Sequence, residues 1–194
     1  KIIAIKPSVE PDVGLADIWM PVRPGTDAAL ALAMLNVVIG EDLIDHGFVE
    51  KWCYGFKRLQ AHVQQFDPKW AENITGVPAS QMIEVAKLYA TTPRAAIDLG
   101  NGVEHTPSAS AAIRAIAILM AITGHLDRPG GKYRFKKEGD RYVFGFSADF
   151  AVLSEDGKVL GGQENFQQWR FSSREPLFEV FVNLTYNLTG APPG

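Results

Sequence analysis

Ala16-Asp-Ile-Trp-Met-Pro-Val-Arg-Pro-Gly-Thr-Asp-Ala-Ala-Leu-Ala-Leu-Ala-Met34 begins in alternation, breaks at Arg23-Pro-Gly-Thr-Asp27, and runs on almost uniformly apolar to Ile39. Alternation from Ala16 to Val22 reads as a strand, because successive side chains of an extended chain point to opposite faces. From Asp27 to Ile39 the run is too long for a strand and has Asn36 as its main polar exception. That pattern predicts a helix buried on nearly every side and ended by Gly40. A strand handing over to a buried helix through a glycine turn is the unit from which α/β layers are built.

Outward from this stretch the same unit recurs. Lys1-Ile-Ile-Ala-Ile5 reads as an earlier strand and Pro7 to Leu15 as a loop. Amphipathic helices are predicted over Glu41 to Trp52, Phe56 to Gln65, Pro68 to Ile74 and Pro78 to Ala90; in the last, Met82, Val85, Ala86 and Tyr89 recur at helical spacing. Arg94 to Leu99 then reads as a strand, Gly100-Asn-Gly102 as a sharp turn, and Ser108 to Ile122 as a second nearly apolar helix. The expected fold is α/β: a three-layer, Rossmann-like domain over residues 1–131 with a mainly parallel sheet and a helical insertion. Residues 132–194 are expected to form an irregular extension with short strands that leads to a further domain. Its last part, Arg174 to Leu188, reads as a helix, with a strand around Val180 to Val182 as the alternative.

Composition narrows the function classes. Of 194 residues, 46% are hydrophobic and 21% charged, which is enough to bury a core and argues against disorder. A formal charge of −3 leaves no broad basic surface for nucleic acid. No stretch reaches the roughly 18 apolar residues needed to cross a membrane. Cys53 is the one cysteine, so an internal disulfide framework and a multi-thiolate zinc or iron–sulfur site are excluded within these residues; it reads as a small core residue, with a reactive thiol as the alternative. His46, His62, His105 and His125 are scattered and lack the spacing of a metal-binding helix. The opening inside an apolar run and the Gly-Ala-Pro-Pro-Gly194 ending suggest a piece of a longer protein.

Two loops carry the candidate chemistry. Pro24-Gly-Thr-Asp27 stands where a strand ends and a buried helix begins, a place that presents backbone N–H groups and the positive end of the helix dipole. Thr26 is placed to cap that helix. Asp27 can accept two parallel hydrogen bonds, as from the N1–H and exocyclic amine of guanine; the competing reading is an ordinary helix start. Gly100-Asn-Gly-Val-Glu-His105 follows a strand and precedes a buried helix, the position where open α/β sheets bind ligands. It lacks the spacing of a dinucleotide fingerprint or a phosphate loop. Glu104 and His105 are its candidates for acid–base work, against a solvated loop pair. Asp127-Arg-Pro-Gly-Gly131 reads as a structural turn, and no serine sits in a nucleophile-elbow pattern.

Taken in order, these segments resemble the molybdopterin oxidoreductases of the dimethyl sulfoxide reductase family, which bind molybdenum between two pterin guanine dinucleotides. The resemblance is carried by Ala16 to Met34, then Asp45-His-Gly-Phe-Val49, Ile74-Thr-Gly-Val-Pro-Ala79, Gly100 to His105, Arg114-Ala-Ile116 and Ile122-Thr-Gly-His-Leu-Asp-Arg-Pro-Gly-Gly131. It covers residues 1 to about 131 well and the remainder loosely, with Leu188-Thr-Gly-Ala-Pro192 similar to the family's approach to its next sheet.

The resemblance implies that Pro24, Gly25, Thr26 and Asp27 hold the guanosine end of one pterin nucleotide. It also places Asn101, Gly102, Glu104 and His105 toward the cofactor and substrate side. Two positions depart from the family pattern. Lys6 precedes Pro7 where relatives carry an acid that meets the ribose hydroxyls; a cation cannot accept those bonds, so Lys6 is either a phosphate contact or a lost one. His125 stands where asparagine is more common.

The implied whole protein is a molybdenum or tungsten oxidoreductase of anaerobic respiration, loaded with bis(molybdopterin guanine dinucleotide). Its iron–sulfur cluster would lie outside these residues. Its partners would be the remaining domains of the same polypeptide and an iron–sulfur electron-transfer subunit. This piece by itself is expected to bind no metal and to be inactive. The rival reading is a non-catalytic electron-transfer scaffold of similar fold without molybdenum, against which the Gly25-Thr26-Asp27 segment argues. A third, an unrelated nucleotide-binding module, does not account for the ordered segments.

Overall fold

A computed structural model describes residues 1–9 and 13–126 and, further along, the backbone of strands at 133–138, 141–147, 152–153, 159–161 and 166–173. Strands β1 (Ile3–Ile5) and β2 (Ile18–Met20) pair in parallel, Ile3 opposite Ile18 and Ile5 opposite Met20. Parallel pairing puts the carboxyl ends of both strands at one edge. From that edge the chain turns through Arg23 to Thr26 into α1 (Asp27–Gly40).

Helix α1 is as apolar as its sequence requires and is covered accordingly. It packs against α3 (Phe56–Val63), α4 (Pro68–Thr75), α5 (Ala79–Thr91) and α7 (Ala109–Ile122). Leu30, Met34, Leu35 and Val38 are buried, and each such side chain withdrawn from water contributes about 1.5–3 kcal/mol. Asn36, the polar exception, donates its side-chain N–H to the Val63 carbonyl at 2.9 Å, at the end of α3. A buried amide left without that partner would be costly.

Several family-like segments are packing joints. Thr75 is wholly buried at the end of α4; its hydroxyl donates to the Ala71 carbonyl at 2.8 Å and accepts from the Val77 N–H at 3.1 Å. Arg23 donates from its guanidinium to the carbonyls of Asn73 and Ile74 at 2.9 and 3.1 Å. A cation is well placed there, because the last carbonyls of a helix are orphaned and partly negative. Asp45 caps α2 (His46–Trp52) by accepting from the Phe48 N–H at 2.8 Å, and its own N–H reaches the Ile122 carbonyl at 2.8 Å. His125 is buried with its Nε2 2.9 Å from the Tyr89 carbonyl and its ring edge-on to Tyr89 at 4.7 Å, which ties the end of α7 to α5.

The structure departs from the sequence expectation in specific places. Over residues 1–126 the chain is mixed α/β but mainly helical, and the parallel sheet has two strands among the described residues. Arg94 to Leu99 does not enter a ladder there; Ala95, Ile97 and Leu99 are half-buried while Arg94, Ala96 and Asp98 are exposed, the alternation of a strand without a described neighbour. The helix expected from Glu41 starts at His46, because Asp42 adopts φ 56° and Asp45 supplies the cap. At Gly100 to Gly102, instead of a turn, a short helix, α6 (Asn101–Glu104), forms. In the extension, β3 (Tyr133–Glu138), β4 (Arg141–Ser147) and β7 (Phe166–Ser173) make an antiparallel sheet, and β5 (Val152–Leu153) pairs with β6 (Val159–Gly161). That is more regular than expected. The turn at Asp127 to Gly131 and the helix at Arg174 to Leu188 lie outside the described residues.

Gly124 provides a test of the joint between α2 and α7. Its φ is 69°, and a Cβ there would stand 2.9 Å from Cγ of Asp45 and closer still to its carboxylate oxygen. Gly124→Ala is expected to cost about 2–4 kcal/mol and to lower the melting temperature by roughly 5–15 °C. Gly14→Ala, with nothing within 4 Å of the added carbon, is the control and should shift it little. Equal melting of the two variants would show that the Asp45 joint does not matter to the fold.

Candidate functional site

The turn into α1 is held from both sides. The Arg23 N–H donates to the Thr75 carbonyl at 2.9 Å, which fixes the turn's entry, and Gly25 adopts φ 80°, a conformation that disfavours any residue with a Cβ. Thr26 occupies the N-cap position but does not cap, contrary to expectation: its hydroxyl turns back and donates to the Arg23 carbonyl at 2.7 Å. Among the described residues, the backbone N–H groups of Asp27 and Ala28 meet no acceptor. The carboxylate of Asp27 is half-buried and has no hydrogen-bond or ion-pair partner among the described residues. An uncapped helix start with an unpartnered acceptor beside it can take a ligand that both donates and accepts.

The second candidate loop reaches the first through its far end. Ser108, the residue before α7, donates its hydroxyl to the Gly25 carbonyl at 3.0 Å, and the Thr106 side chain flanks Gly25, 3.9 Å from where a Cβ would stand. Thr106 and Ser108 were not singled out from sequence, where Thr-Pro-Ser reads as no more than a helix start. Asn101, Gly102, Glu104 and His105 are all exposed on α6 and the residue after it, and no hydrogen bond among the described residues joins them to Gly25, Thr26 or Asp27. Pro24 is exposed at the turn's outer side. Lys6 leaves β1 at the same carboxyl edge, its carbonyl accepting from the Trp19 indole at 3.0 Å and its N–H donating to Met20 at 3.2 Å.

The remaining chemistry-bearing groups do not gather. Among the described residues there is no cluster of three or more His, Cys, Asp or Glu able to hold a metal ion. A cavity of about 330 Å³ lies at the opposite end of α1, lined by Ile39, Val49 and Phe56 with Asp42, His46 and Glu50. That end is ~20 Å along the helix from Asp27. Asp42 and His46 pair there at 3.0 Å, both well exposed. Cys53 is half-buried and packs on the core; burial, and secondarily the charge of Asp45, pushes its thiol up to about 11. That is the opposite of nucleophile activation. No helix of the described residues is long and apolar enough to cross a membrane.

Against known proteins, the family described as Molybdopterin oxidoreductase matches residues 1–174. The probable oxidoreductase YoaE of Bacillus subtilis is 37% identical over 131 residues, covering 68% of this chain and 19% of that protein. Dimethyl sulfoxide reductase DmsA of Escherichia coli is 35% identical over 151 residues, with 68% and 19% covered. The solved structure of acetylene hydratase from Pelobacter acetylenicus superposes with a TM-score of 0.63 at 41% identity, covering 64% of this chain and 17% of that one. The chain thus spans about a fifth of the length of the relatives it matches.

The raised thiol of Cys53 gives a direct test. At pH 8 a group at about 11 rather than the ordinary 9.0 is far less ionised, so the folded chain should be alkylated by iodoacetamide roughly a hundredfold more slowly than the unfolded chain. The sign for stability follows. The unfolded chain loses the Cys53 proton first, and buried Tyr89 is likewise raised, so stability should fall as pH rises from about 9 toward 11. Equal alkylation rates folded and unfolded would contradict the packing described for Cys53.

Proposed function

The chain belongs to the molybdopterin oxidoreductases, and from that premise we propose that the Gly25–Asp27 turn holds the guanosine end of a pterin guanine dinucleotide in a molybdenum or tungsten enzyme. One observation carries the reading: a half-buried carboxylate without a protein partner, at a helix start whose first N–H groups are also open. Ionised Asp27 can accept from guanine N1–H and the exocyclic amine together, a paired, charge-assisted contact. The backbone N–H groups of Asp27 and Ala28 offer donors to an acceptor of the same nucleotide. The residues present therefore fit the group. A scaffold without molybdenum would have no use for such a carboxylate.

The cofactor, when bound, supplies the metal-centred chemistry, while this segment supplies binding and orientation. Relatives named for oxidoreductase and for hydratase reactions match this chain at 35–41% identity, which fits a role in holding a cofactor common to them. In this reading Lys6, at the same carboxyl edge of the sheet, is a candidate for a cofactor phosphate. Exposed Asn101, Gly102, Glu104 and His105 face the cofactor and substrate side, with Glu104 and His105 the candidates for proton transfer. A second pterin nucleotide, an iron–sulfur cluster and an electron-transfer subunit belong to the remainder of the assembly.

The same reading extends to the fold. The unladdered alternation of Arg94 to Leu99, the exposed Ile5 on β1 and the exposed Ile2 just before it are what an incomplete parallel sheet presents. Strands from elsewhere in the polypeptide would complete a three-layer, Rossmann-like domain over residues 1–131, with 132–194 leading to the next domain.

In the full-length protein, Asp27→Ala is expected to weaken cofactor binding by about 2–4 kcal/mol, roughly 30- to 1000-fold, because guanine donors are left unpaired at a partly buried site. Asp27→Asn keeps the shape but turns an N–H toward a guanine donor. Guanine nucleotide and molybdenum or tungsten content should fall while the melting temperature of the cofactor-free protein barely moves. Wild-type loading of Asp27→Asn would sink the assignment.

A further inference from the structure

The hydroxyl of Ser108 has two uses open to it and takes the less local one. As the residue at the N-cap of α7 it is of the type that caps its own helix, which typically stabilises by about 1 kcal/mol. It makes no such bond. It donates instead to the carbonyl of Gly25, 83 positions away in sequence, at 3.0 Å. Thr106, two residues earlier, lays its side chain against the same glycine.

The consequence falls on the direction of the turn's backbone. Gly25 sits at φ 80°, where glycine has the freedom to move to other conformations at little cost. Its carbonyl belongs to the peptide plane that carries the Thr26 N–H, and Thr26 leads directly into the open N–H groups of Asp27 and Ala28. The Arg23 N–H fixes one end of the turn on Thr75, and within the turn the Thr26 N–H and hydroxyl both donate to the Arg23 carbonyl, at 3.2 and 2.7 Å. Between these anchors, the bond from Ser108 is the described contact that holds the Gly25 peptide from outside the turn.

We propose that Ser108, with Thr106 beside it, is a positioning latch: it locks the Gly25 peptide so that Asp27 and the start of α1 are preset for the nucleotide, and it couples that turn to the start of α7. This rests on the nucleotide reading given above. A preset turn spares the ligand the cost of ordering a flexible glycine, so the latch should act on affinity.

The test measures the Kd of cofactor-free full-length protein for guanosine monophosphate by calorimetry, alongside the melting temperature. Ser108→Ala is expected to raise Kd about five- to tenfold, the scale of one hydrogen bond. Ser108→Thr, which keeps the hydroxyl, should restore it to within about twofold. Thr106→Ala should give a smaller rise and serves as the readout if Ser108→Ala does not fold. An unchanged Kd in Ser108→Ala, whatever its melting temperature, overturns the latch, as does an unchanged Kd in Thr106→Ala where that variant must stand in. Asp27→Ala separates the two ideas: if it weakens binding while Ser108→Ala does not, the latch alone fails. If Asp27→Ala leaves Kd unchanged, or the wild-type protein binds no guanosine monophosphate, the nucleotide reading fails and takes the latch with it.

Discussion

The covering of α1 is the constraint on which the rest depends. A helix of 14 residues with hardly a polar group on any face cannot sit on a surface, so α3, α4, α5 and α7 must surround it. With the helix so enclosed, the short connection from Met20 to Asp27 keeps its N-terminus near the edge where β1 and β2 end. Hydrophobic burial, which has no direction of its own, thereby fixes the place of a directional feature, the open helix start at Asp27.

What burial leaves loose, polar joints make definite. Arg23 draws the end of α4 to the turn, Asp45 and Gly124 join α2 to α7, and His125 and Tyr89 join α7 to α5. Each places a polar group where its partner is otherwise an orphaned carbonyl or N–H. Several segments singled out in the sequence are of this kind. Ile74 and Thr75 hold the turn through Arg23, while Asp45 to Val49 ties α2 to the end of α7, at the far end of α1.

The frame also gives the two candidate loops different settings. Asp27 lies half-buried at the start of the enclosed helix α1, whereas Glu104 ends, and His105 follows, an exposed four-residue helix. In the reading proposed above, a cofactor contact gains from the first kind of placement and variable chemistry from the second.

The sequence by itself determined the buried helices, the strand–turn–helix unit, the glycine at the turn and the aspartate after it, because each is a local pattern: period, composition or conformational freedom at one position. Helices α3, α4, α5 and α7 fall within about two residues of where periodicity put them, as fraying ends allow. Tertiary structure decided the rest. Thr26 has the chemistry of a cap, yet in the tight turn its hydroxyl donates to the Arg23 carbonyl and accepts from no N–H of the helix. Arg94 to Leu99 has the alternation of a strand, but a strand exists only when a neighbour offers its N–H and C=O groups, which no local pattern reports. Ser108 bonds to Gly25 across 83 positions, and sequence spacing holds no information about such a contact, since the packing of α7 on α1 alone brings the two together.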